Sequence, residues 1–501
     1  MPKSSSLRPI TPTPAATENH PLRTCKIISV PKLVANATKP QFSLGDEGAE
    51  LLSFFRAASF AQDQSSQEEG SPMSSPPNVV EATPPASGPA PVWSELQQDL
   101  LVGIFSQLEL PDLVYAGAVC MPWRLSYLAV RRFGLCSPNQ SPYLVYSSGD
   151  RDTNTATLHN LSTDKKYHCS LPDPPFRSRY IIGASHGWLV TNDEQCNLHL
   201  LNPVTRDQIC LPPARTMTGL SPCFTRDGIL SGYYIDNLYL KYKRNIPRDP
   251  PVFYETEFAR LHLYKKAILT ADPSRGDFTV LLMHRPAEHL SFVRSGDTKW
   301  TWINANEHCR LYEDFFYNED DRLFYAIQGM GEIHTIDLSG PSLVVNVIFK
   351  PVSSVVVDTR YIIRASWGDI LYVFRNYGSL PPEVLRELDI EESEEDDFEV
   401  DEIVVHKVDF AKQKIRKMKH LRDHALFIGF NRTFMLHTKD FPNLRPNCVY
   451  ISDDNTSSIF CSPLSGRKLS CLNLGDGTLT DMWFSDSLLH WPPPIWFRPS
   501  C

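Results

Sequence analysis

The stretch Phe315-Phe-Tyr-Asn-Glu-Asp-Asp-Arg-Leu-Phe-Tyr-Ala-Ile-Gln-Gly-Met-Gly-Glu-Ile-His-Thr-Ile-Asp-Leu338 contains the pattern that decides the fold. Two short apolar runs, Phe315–Tyr317 and Leu323–Ile327, are separated by the polar turn Asn318–Asp321, and a third run follows at Glu332–Leu338. Short runs rich in aromatic and β-branched residues, separated by polar turns, are typical of antiparallel strands. The stretch therefore predicts a hairpin followed by a third strand.

The same pattern recurs along most of the chain after Pro142. Clear sets of runs lie at Gly187–Val190, Asn197–Leu201 and Gln208–Leu211, and at Val355–Val357, Tyr361–Ala365 and Ile370–Phe374. Small sets of strands repeated over so long a region favour a radial arrangement of sheets over a single sandwich. At about 40–50 residues per blade, residues 142–498 predict a β-propeller of six or seven blades.

A short helical block precedes this β region, at residues 93–133. The apolar residues of its first segment are spaced as on one broad face of a helix, and they are Leu96, Leu100, Leu101, Ile104, Phe105 and Leu108. Pro111 and Pro122 each suit the first turn of a further helix. The chain is therefore predicted to be mainly β with a small α domain of three short helices. Because about 40 residues bury little surface alone, part of the apolar face is expected to be available to another protein.

Two segments are predicted to contain no stable helices or strands. Residues 1–92 hold 14 of the 41 prolines, together with many Ser, Thr and Ala. Such a composition has too little apolar surface to offset the ordering entropy of the chain, which predicts a disordered Pro/Ser-rich arm. Residues 387–402 hold eleven acidic residues in sixteen and no basic one, which predicts a solvated acidic loop within the propeller.

Composition and charge exclude several classes of protein. With 49 Lys plus Arg against 58 Asp plus Glu, the net charge of −9 argues against nucleic-acid binding by the whole chain. The sequence has neither the run of about 18 apolar residues that a transmembrane helix needs nor an apolar secretory signal. We therefore expect no membrane partner and a location in the cytoplasm, the nucleus or both, with reduced cysteines and without organellar targeting.

No catalytic, cofactor-binding or metal-binding residues are predicted. The sequence lacks a nucleophile elbow, a phosphate-binding Walker loop and an H-E-x-x-H metal motif. None of its 12 cysteines forms a C-x-x-C pair, so the pattern of a zinc ribbon is missing. A propeller enzyme, such as a glycoside hydrolase with two carboxylates in the central channel, stays open as an alternative because sequence spacing cannot show that geometry.

The helical block resembles an F-box. The resemblance rests on the leucine-rich first helix after Trp93, on Leu110-Pro-Asp-Leu113 and on Val119-Cys-Met-Pro-Trp-Arg124. It implies docking to the helical Skp adaptor of a cullin ubiquitin ligase. The residues implied for this contact are Leu96, Leu100, Leu101, Ile104, Phe105, Leu108 and Leu113. Val119 and Trp123 are expected instead to hold the three helices together.

The region after residue 142 is similar to the KIB-type β-propeller of plant F-box proteins, once called domain of unknown function 295. The similar residues are Ser185-His-Gly-Trp-Leu-Val190, Leu200-Leu-Asn-Pro-Val-Thr205, Leu211-Pro-Pro213, Ala425-Leu-Phe-Ile-Gly429, Asp440–Tyr450 with Asp453-Asp454, and Trp491-Pro-Pro-Pro-Ile-Trp-Phe497. Together the two resemblances imply a non-catalytic substrate receptor of a Skp–cullin–F-box ubiquitin ligase, whose propeller holds an unidentified protein target. A ligase-independent interaction scaffold stays open as an alternative, since Gln97 stands where an F-box usually has proline.

Overall fold

β-strands dominate the computed structural model of the protein, as the sequence predicts. It describes residues 96–147, 154–236, 250–304, 311–340, 342–351, 359–376, 402–429, 433–452, 469–482 and 492–500. The predicted arm at residues 1–92 and the acidic residues 387–401 lie outside the described residues. Glu402, predicted as the last residue of the acidic loop, is the first residue of a strand.

Three helices form the small α domain: α1 at Gln98–Phe105, α2 at Leu110–Ala116 and α3 at Met121–Phe133. Pro111 and Pro122 lie in the first turns of α2 and α3, where a missing N–H costs no intrahelical hydrogen bond. Helix α3 ends at Gly134, which has the left-handed conformation that glycine adopts without strain.

The strands form seven small sheets in the described part of the chain. The first sheet in chain order contains β1 at Tyr143–Ser147, β2 at Thr155–Asn160 and β3 at Lys166–Ser170. The second contains β4 at Tyr180–Ser185, β5 at Trp188–Asn192, β6 at Leu198–Leu201 and β7 at Gln208–Cys210. The third contains β8 at Leu220–Phe224, β9 at Leu230–Ile235 and β10 at Val252–Glu255. The fourth contains β11 at Tyr264–Leu269, β12 at Thr279–His284, β13 at His289–Arg294 and β14 at Thr301–Trp302. The fifth contains β15 at Tyr312–Asn318, β16 at Leu323–Gln328, β17 at Ile333–Asp337 and β18 at Val344–Phe349.

The last two sheets complete the domain. The sixth contains β19 at Thr359–Arg364, β20 at Ile370–Asn376, β21 at Glu402–Asp409 and β22 at Lys414–Lys417. The seventh contains β23 at His424–Ile428, β24 at Phe434–His437, β25 at Cys448–Ser452, β26 at Leu469–Asn473 and β27 at Leu479–Asp481. A final strand, β28 at Ile495–Phe497, joins the first sheet. We call the sheet of β8–β10 the insert sheet and number the other six as blades 1 to 6 in chain order.

The insert sheet lies outside the ring of blades. The innermost strands of the sheets on either side of it in the chain, β4 and β11, contact each other directly. They approach so closely that a Cβ atom on Gly183 would lie 2.0 Å from the carbonyl oxygen of Ala267. The insert sheet instead packs against blades 2 and 3 together with helix α4 at Thr256–His262. Of the six or seven blades predicted, the described residues therefore form six.

The last strand of the chain closes the ring. Strand β28 pairs antiparallel with β1, where Tyr143 lies opposite Phe497 and Val145 opposite Ile495. The last strand thereby completes the blade that β1, β2 and β3 begin. The pairing covers a strand edge that would otherwise be open to other chains.

One cysteine departs from the expected reduced state. Within the described residues the free thiols are Cys120, Cys169, Cys196, Cys210, Cys223, Cys448 and Cys471. Cys136, in the segment between α3 and β1, is disulfide-bonded. The expectation that all cysteines are reduced is therefore wrong for this residue.

Candidate functional site

The residues predicted to contact the adaptor divide into two groups in the structure. Five of them are buried, and these are Leu101, Ile104, Phe105, Leu108 and Leu113. Leu96 is half-buried against the same core, whereas Leu100 faces solvent. Direct contact with a partner stays a prediction for Leu96 and Leu100. For the five buried residues such contact would require the core of the α domain to open.

The buried side of the helices faces inward, into a core that extends into the propeller. Buried residues of the helices share one hydrophobic core with blades 1 and 2, in which Tyr143, Leu158 and Tyr167 take part. Sequence reasoning missed this because it expected another protein to cover part of the apolar face of α1. Trp123 is buried and packs edge-on against Phe105, with ring centroids 5.5 Å apart. Its predicted role in holding the helices together is confirmed.

A different apolar surface of the α domain faces solvent. Met121, Leu125 and Leu128 recur at helical spacing on α3, and Val119 and Leu100 lie in the same small domain. All five side chains are between 46% and 70% exposed. We call these five residues the exposed apolar surface. Val119 was expected to hold the helices together, and that expectation is wrong.

Asp112 connects α2 to blade 1. Its carboxylate accepts hydrogen bonds from Lys165 Nζ at 2.8 Å and from the Tyr167 hydroxyl at 3.1 Å. The Lys165 ammonium lies 4.6 Å from the centre of the Tyr167 ring, and Tyr115 of α2 stacks on that ring. Burial, with the negative charge of Asp112, raises the pKa of Tyr167 well above its usual value. The phenol therefore stays protonated and keeps donating to Asp112.

Glu109 connects the N-terminus of α2 to the start of β1. Its carboxylate accepts hydrogen bonds from the Ser141 hydroxyl at 2.6 Å, from the Ser141 backbone N–H at 3.2 Å and from the Tyr143 hydroxyl at 3.4 Å. Burial raises the pKa of Glu109, and the bonds from Ser141 and Tyr143 oppose that rise. Gln140 adds to the contact, because its side-chain oxygen accepts from the Leu110 N–H at 2.7 Å.

A cavity of about 900 Å³ lies at the end of the propeller where strands β4, β11, β15 and β19 end. Residues between 134 and 140, which join α3 to β1, form part of its wall, and so do residues 496 and 498–500 of the C-terminal tail. Its polar lining includes Asp272, Arg275, Asn318, Asp320, Arg364 and Arg498. A molecule bound in this cavity would therefore touch both the propeller and the segment that leads to the α domain.

Asp314 ties together the strands that surround the cavity. It forms an ion pair with Lys266 of β11, and the backbone N–H of Ile362 in β19 donates to it at 2.9 Å. Thr433, in the cavity wall, donates its hydroxyl to the same carboxylate at 3.3 Å. Burial raises the pKa of Asp314, and the charge of Lys266 opposes the rise. These contacts join blades 3, 4 and 5 with the residue before β24 and stiffen the cavity wall.

A serine–histidine contact at the cavity rim bears on whether the protein is an enzyme. The Ser366 hydroxyl lies 2.7 Å from Nε2 of His424, as in two members of a hydrolase triad. Burial lowers the pKa of His424. Among the described residues, no carboxylate is hydrogen-bonded to Nδ1 of His424, where the acid that orients the base in a triad would lie. The contact joins blades 5 and 6 and does not by itself form a catalytic site.

The residues that the structure describes form a β-propeller of six blades, with a small helical domain beside the first blade. The sequence matches the profile of the family described as KIB1-4 β-propeller over residues 158–469, and the chain belongs to this family. Among the described helices, none is long and apolar enough to cross a membrane.

Similar proteins from Arabidopsis thaliana carry the F-box in their names. At4g17565 is 23% identical over 434 residues, which cover 82% of this chain and 95% of that protein. At4g22165 is 22% identical over 416 residues, covering 79% and 97%. At1g10110 is 23% identical over 256 residues, covering 50% and 57%. The resemblance to plant F-box proteins with a KIB-type propeller is therefore confirmed.

Proposed function

We propose that this chain is the substrate receptor of a Skp–cullin–F-box ubiquitin ligase. Residues 93–133 are the F-box that docks the Skp adaptor, and the propeller at residues 142–498 holds a protein target. The observation that carries the proposal is the exposed apolar surface of the α domain, because other apolar residues of the same helices are already buried in the core that they share with the propeller. The F-box names of the plant relatives support it.

The exposed apolar surface suits a helical partner. Met121, Leu125 and Leu128 follow an i, i+4, i+7 spacing, with which an apolar helix face packs into a groove of another protein. Exposed apolar side chains that recur along one helix in this way are a sign of an interaction site. The buried residues of α1, such as Phe105, then have an indirect role, because they fix the helix on which Leu100 is exposed.

The mouth of the cavity is the proposed site for the target. Loops at the ends of strands can vary without disturbing the blades, and recognition residues therefore concentrate there. The cavity wall combines the charged pair Arg364 and Asp320 with the aromatic side chains Tyr317 and Phe434. Such a mixture suits a polypeptide segment of a protein target. The proposed role is non-catalytic, needs no cofactor, nucleic acid or membrane, and belongs in the cytoplasm or the nucleus.

Charge placed on the exposed apolar surface tests the proposal. The full chain with Leu125→Asp and Leu128→Asp should bind a plant Skp adaptor at least about a hundredfold more weakly than the parent. The physical reason is that each buried anchor contributes about 2 kcal/mol or more, and a carboxylate cannot be buried there without a partner. Isothermal titration calorimetry with the purified adaptor measures the change.

A matched control is available on the insert sheet. Ile229 and Val252 are 66% and 56% exposed, so Ile229→Asp with Val252→Asp adds the same charge at comparable apolar positions outside the α domain. This control pair should bind the adaptor as tightly as the parent. An equal loss in both pairs, or no binding of the parent to any Skp adaptor, would contradict the proposal and leave the ligase-independent scaffold.

A further inference from the structure

Two carboxylates at the start of α2 face the propeller and not the exposed apolar surface. From their contacts we infer that Glu109 and Asp112 are positioning residues, which set the direction in which the α domain stands on blade 1. The inference rests on the proposed function, since it assigns these residues to the geometry of the receptor and not to adaptor binding. Asp112 belongs to the Leu110-Pro-Asp-Leu113 motif, so one motif residue contacts this chain's own propeller.

The two carboxylates contact different strands of blade 1. Asp112 accepts from Lys165, in the turn before β3, and from Tyr167 within β3. Glu109 accepts from Ser141 and Tyr143 at the start of β1. Because β2 lies between β1 and β3 in the sheet, the contacts are separated across the blade. Two separated contacts oppose a rotation of α2 about either one.

Charge and position strengthen both contacts. Glu109 is the N-cap residue of α2 and Asp112 lies in its first turn, where the helix dipole favours negative charge. The side chains of Lys165 and Asp112 are only 23% and 25% exposed, so solvent screens their ion pair less than a surface pair. The carboxylates therefore fix the orientation of α2 on blade 1. A purely apolar contact would allow the helix to slide over the blade.

A third contact lies on the other side of the α domain. Arg498 of the tail donates to the carbonyl oxygen of Pro138 at 2.8 Å, in the segment between α3 and β1. The guanidinium of Arg275 lies so close to Gly134 that a Cβ atom there would approach it to 2.9 Å. The end of α3 is thus held near the cavity while the start of α2 is held on blade 1. Contacts at three separate places define one orientation, so the adaptor stands at a constant distance from the cavity mouth.

Distances measured by double electron–electron resonance test the orientation of the α domain on the propeller directly. Spin labels are attached through non-canonical amino acids at the exposed positions Gln107 and Lys299, which avoids the native thiols. The full-length parent should give one narrow distance distribution between the α domain and blade 3. Glu109→Ala with Asp112→Ala should at least double its width. Asp277→Ala with Asp297→Ala, at exposed acidic positions away from the α domain, should leave it unchanged.

A charge exchange separates positioning from general stability. Asp112→Lys alone should broaden the distribution, and adding Lys165→Asp should narrow it again, because the ion pair is restored with reversed charges. Adaptor affinity should stay within about twofold of the parent throughout, since none of these residues lies on the exposed apolar surface. Circular dichroism confirms that the propeller stays folded.

The outcomes distinguish the inference from the proposed function. A narrow distribution in the Glu109→Ala, Asp112→Ala variant, or a broad one in the parent, would overturn the inference whether or not the adaptor binds. Failure of the charge exchange to narrow the distribution would also count against it. Absence of adaptor binding by a parent with a narrow distribution would instead contradict the proposed function alone.

Discussion

Trp496 in the last strand donates its indole N–H to the backbone carbonyl oxygen of Ile428, 3.1 Å away. The ring of Trp496 is fully buried and packs edge-on against Phe427 of β23 and Tyr450 of β25. Strand β28 therefore has two roles, since it pairs with β1 of blade 1 and packs on blade 6. The closure of the propeller depends on this strand, because β28 follows blade 6 in the chain and joins it to blade 1 by pairing with β1.

Removing the Trp496 ring should open this junction. Trp496→Ala should lower the free energy of unfolding by about 3–5 kcal/mol, because it leaves a cavity between blades 1 and 6. Trp496→Phe should cost less, since it keeps an aromatic ring but leaves the Ile428 carbonyl without its donor. Urea unfolding followed by circular dichroism measures both. A Trp496→Ala protein with the urea midpoint of the parent would show that the tail does not hold the ring closed.

The contact between β4 and β11 predicts a severe effect of one methyl group. In Gly183→Ala the new Cβ would meet the carbonyl oxygen of Ala267 at 2.0 Å, and neither backbone can move without displacing a whole blade. The variant should lose several kcal/mol of stability or fail to fold. Gly340→Ala is the control, because its Cβ would lie at an ordinary contact distance of 3.7 Å from the Ser342 carbonyl oxygen. Equal thermal midpoints for the two variants would refute the close approach.

His284 in blade 3 should make stability depend on pH. Its imidazole contacts the Arg285 carbonyl oxygen and the Ser291 hydroxyl, and burial lowers its pKa from 6.5 to about 4. The unfolded chain therefore takes up the proton first as the pH falls. The stability that His284 contributes is full above pH 6.5 and is lost progressively between pH 6.5 and pH 4, on the order of 3 kcal/mol in all.

The variant His284→Gln should remove this part of the pH dependence. Between about pH 7 and pH 5, the free energy of unfolding should fall less in the variant than in the parent, whatever the absolute stability of each. Parallel slopes for the parent and His284→Gln would show that this imidazole does not titrate as described.

The local pattern was sufficient to predict the three helices and many of the strands, but not all of them: β2 at Thr155–Asn160 was not predicted, and the predicted run Val355–Val357 lies outside the described residues. Runs such as Leu323–Ile327 alternate with polar turns, and Pro111 and Pro122 lie in first turns as expected. The position of the insert sheet could not be predicted, because β8–β10 have the same local pattern as a blade. Only the long-range contact of β4 with β11 shows that they lie outside the ring.

The partner-facing surface was harder to predict for a related reason. Periodicity shows which face of α1 is apolar but not what covers it. Leu101, Ile104 and Phe105 are buried in the core that the helices share with blades 1 and 2. A Leu100→Ala, Ile104→Ala pair would therefore damage the core as well as any docking surface. The signal for the exposed apolar surface was present in α3, where a second apolar stripe of Met121, Leu125 and Leu128 accompanies the buried one.

Reconstitution of the ligase core tests the central claim most directly. The full chain, a plant Skp adaptor and the N-terminal part of the cullin are mixed at micromolar concentration, and the molar mass of the complex is measured by size-exclusion chromatography with light scattering. We expect one peak with the mass of a complex containing one copy of each protein. The Leu125→Asp, Leu128→Asp variant should instead elute separately from the adaptor. Separate elution of the parent chain and the adaptor, with a folded propeller, would contradict the account.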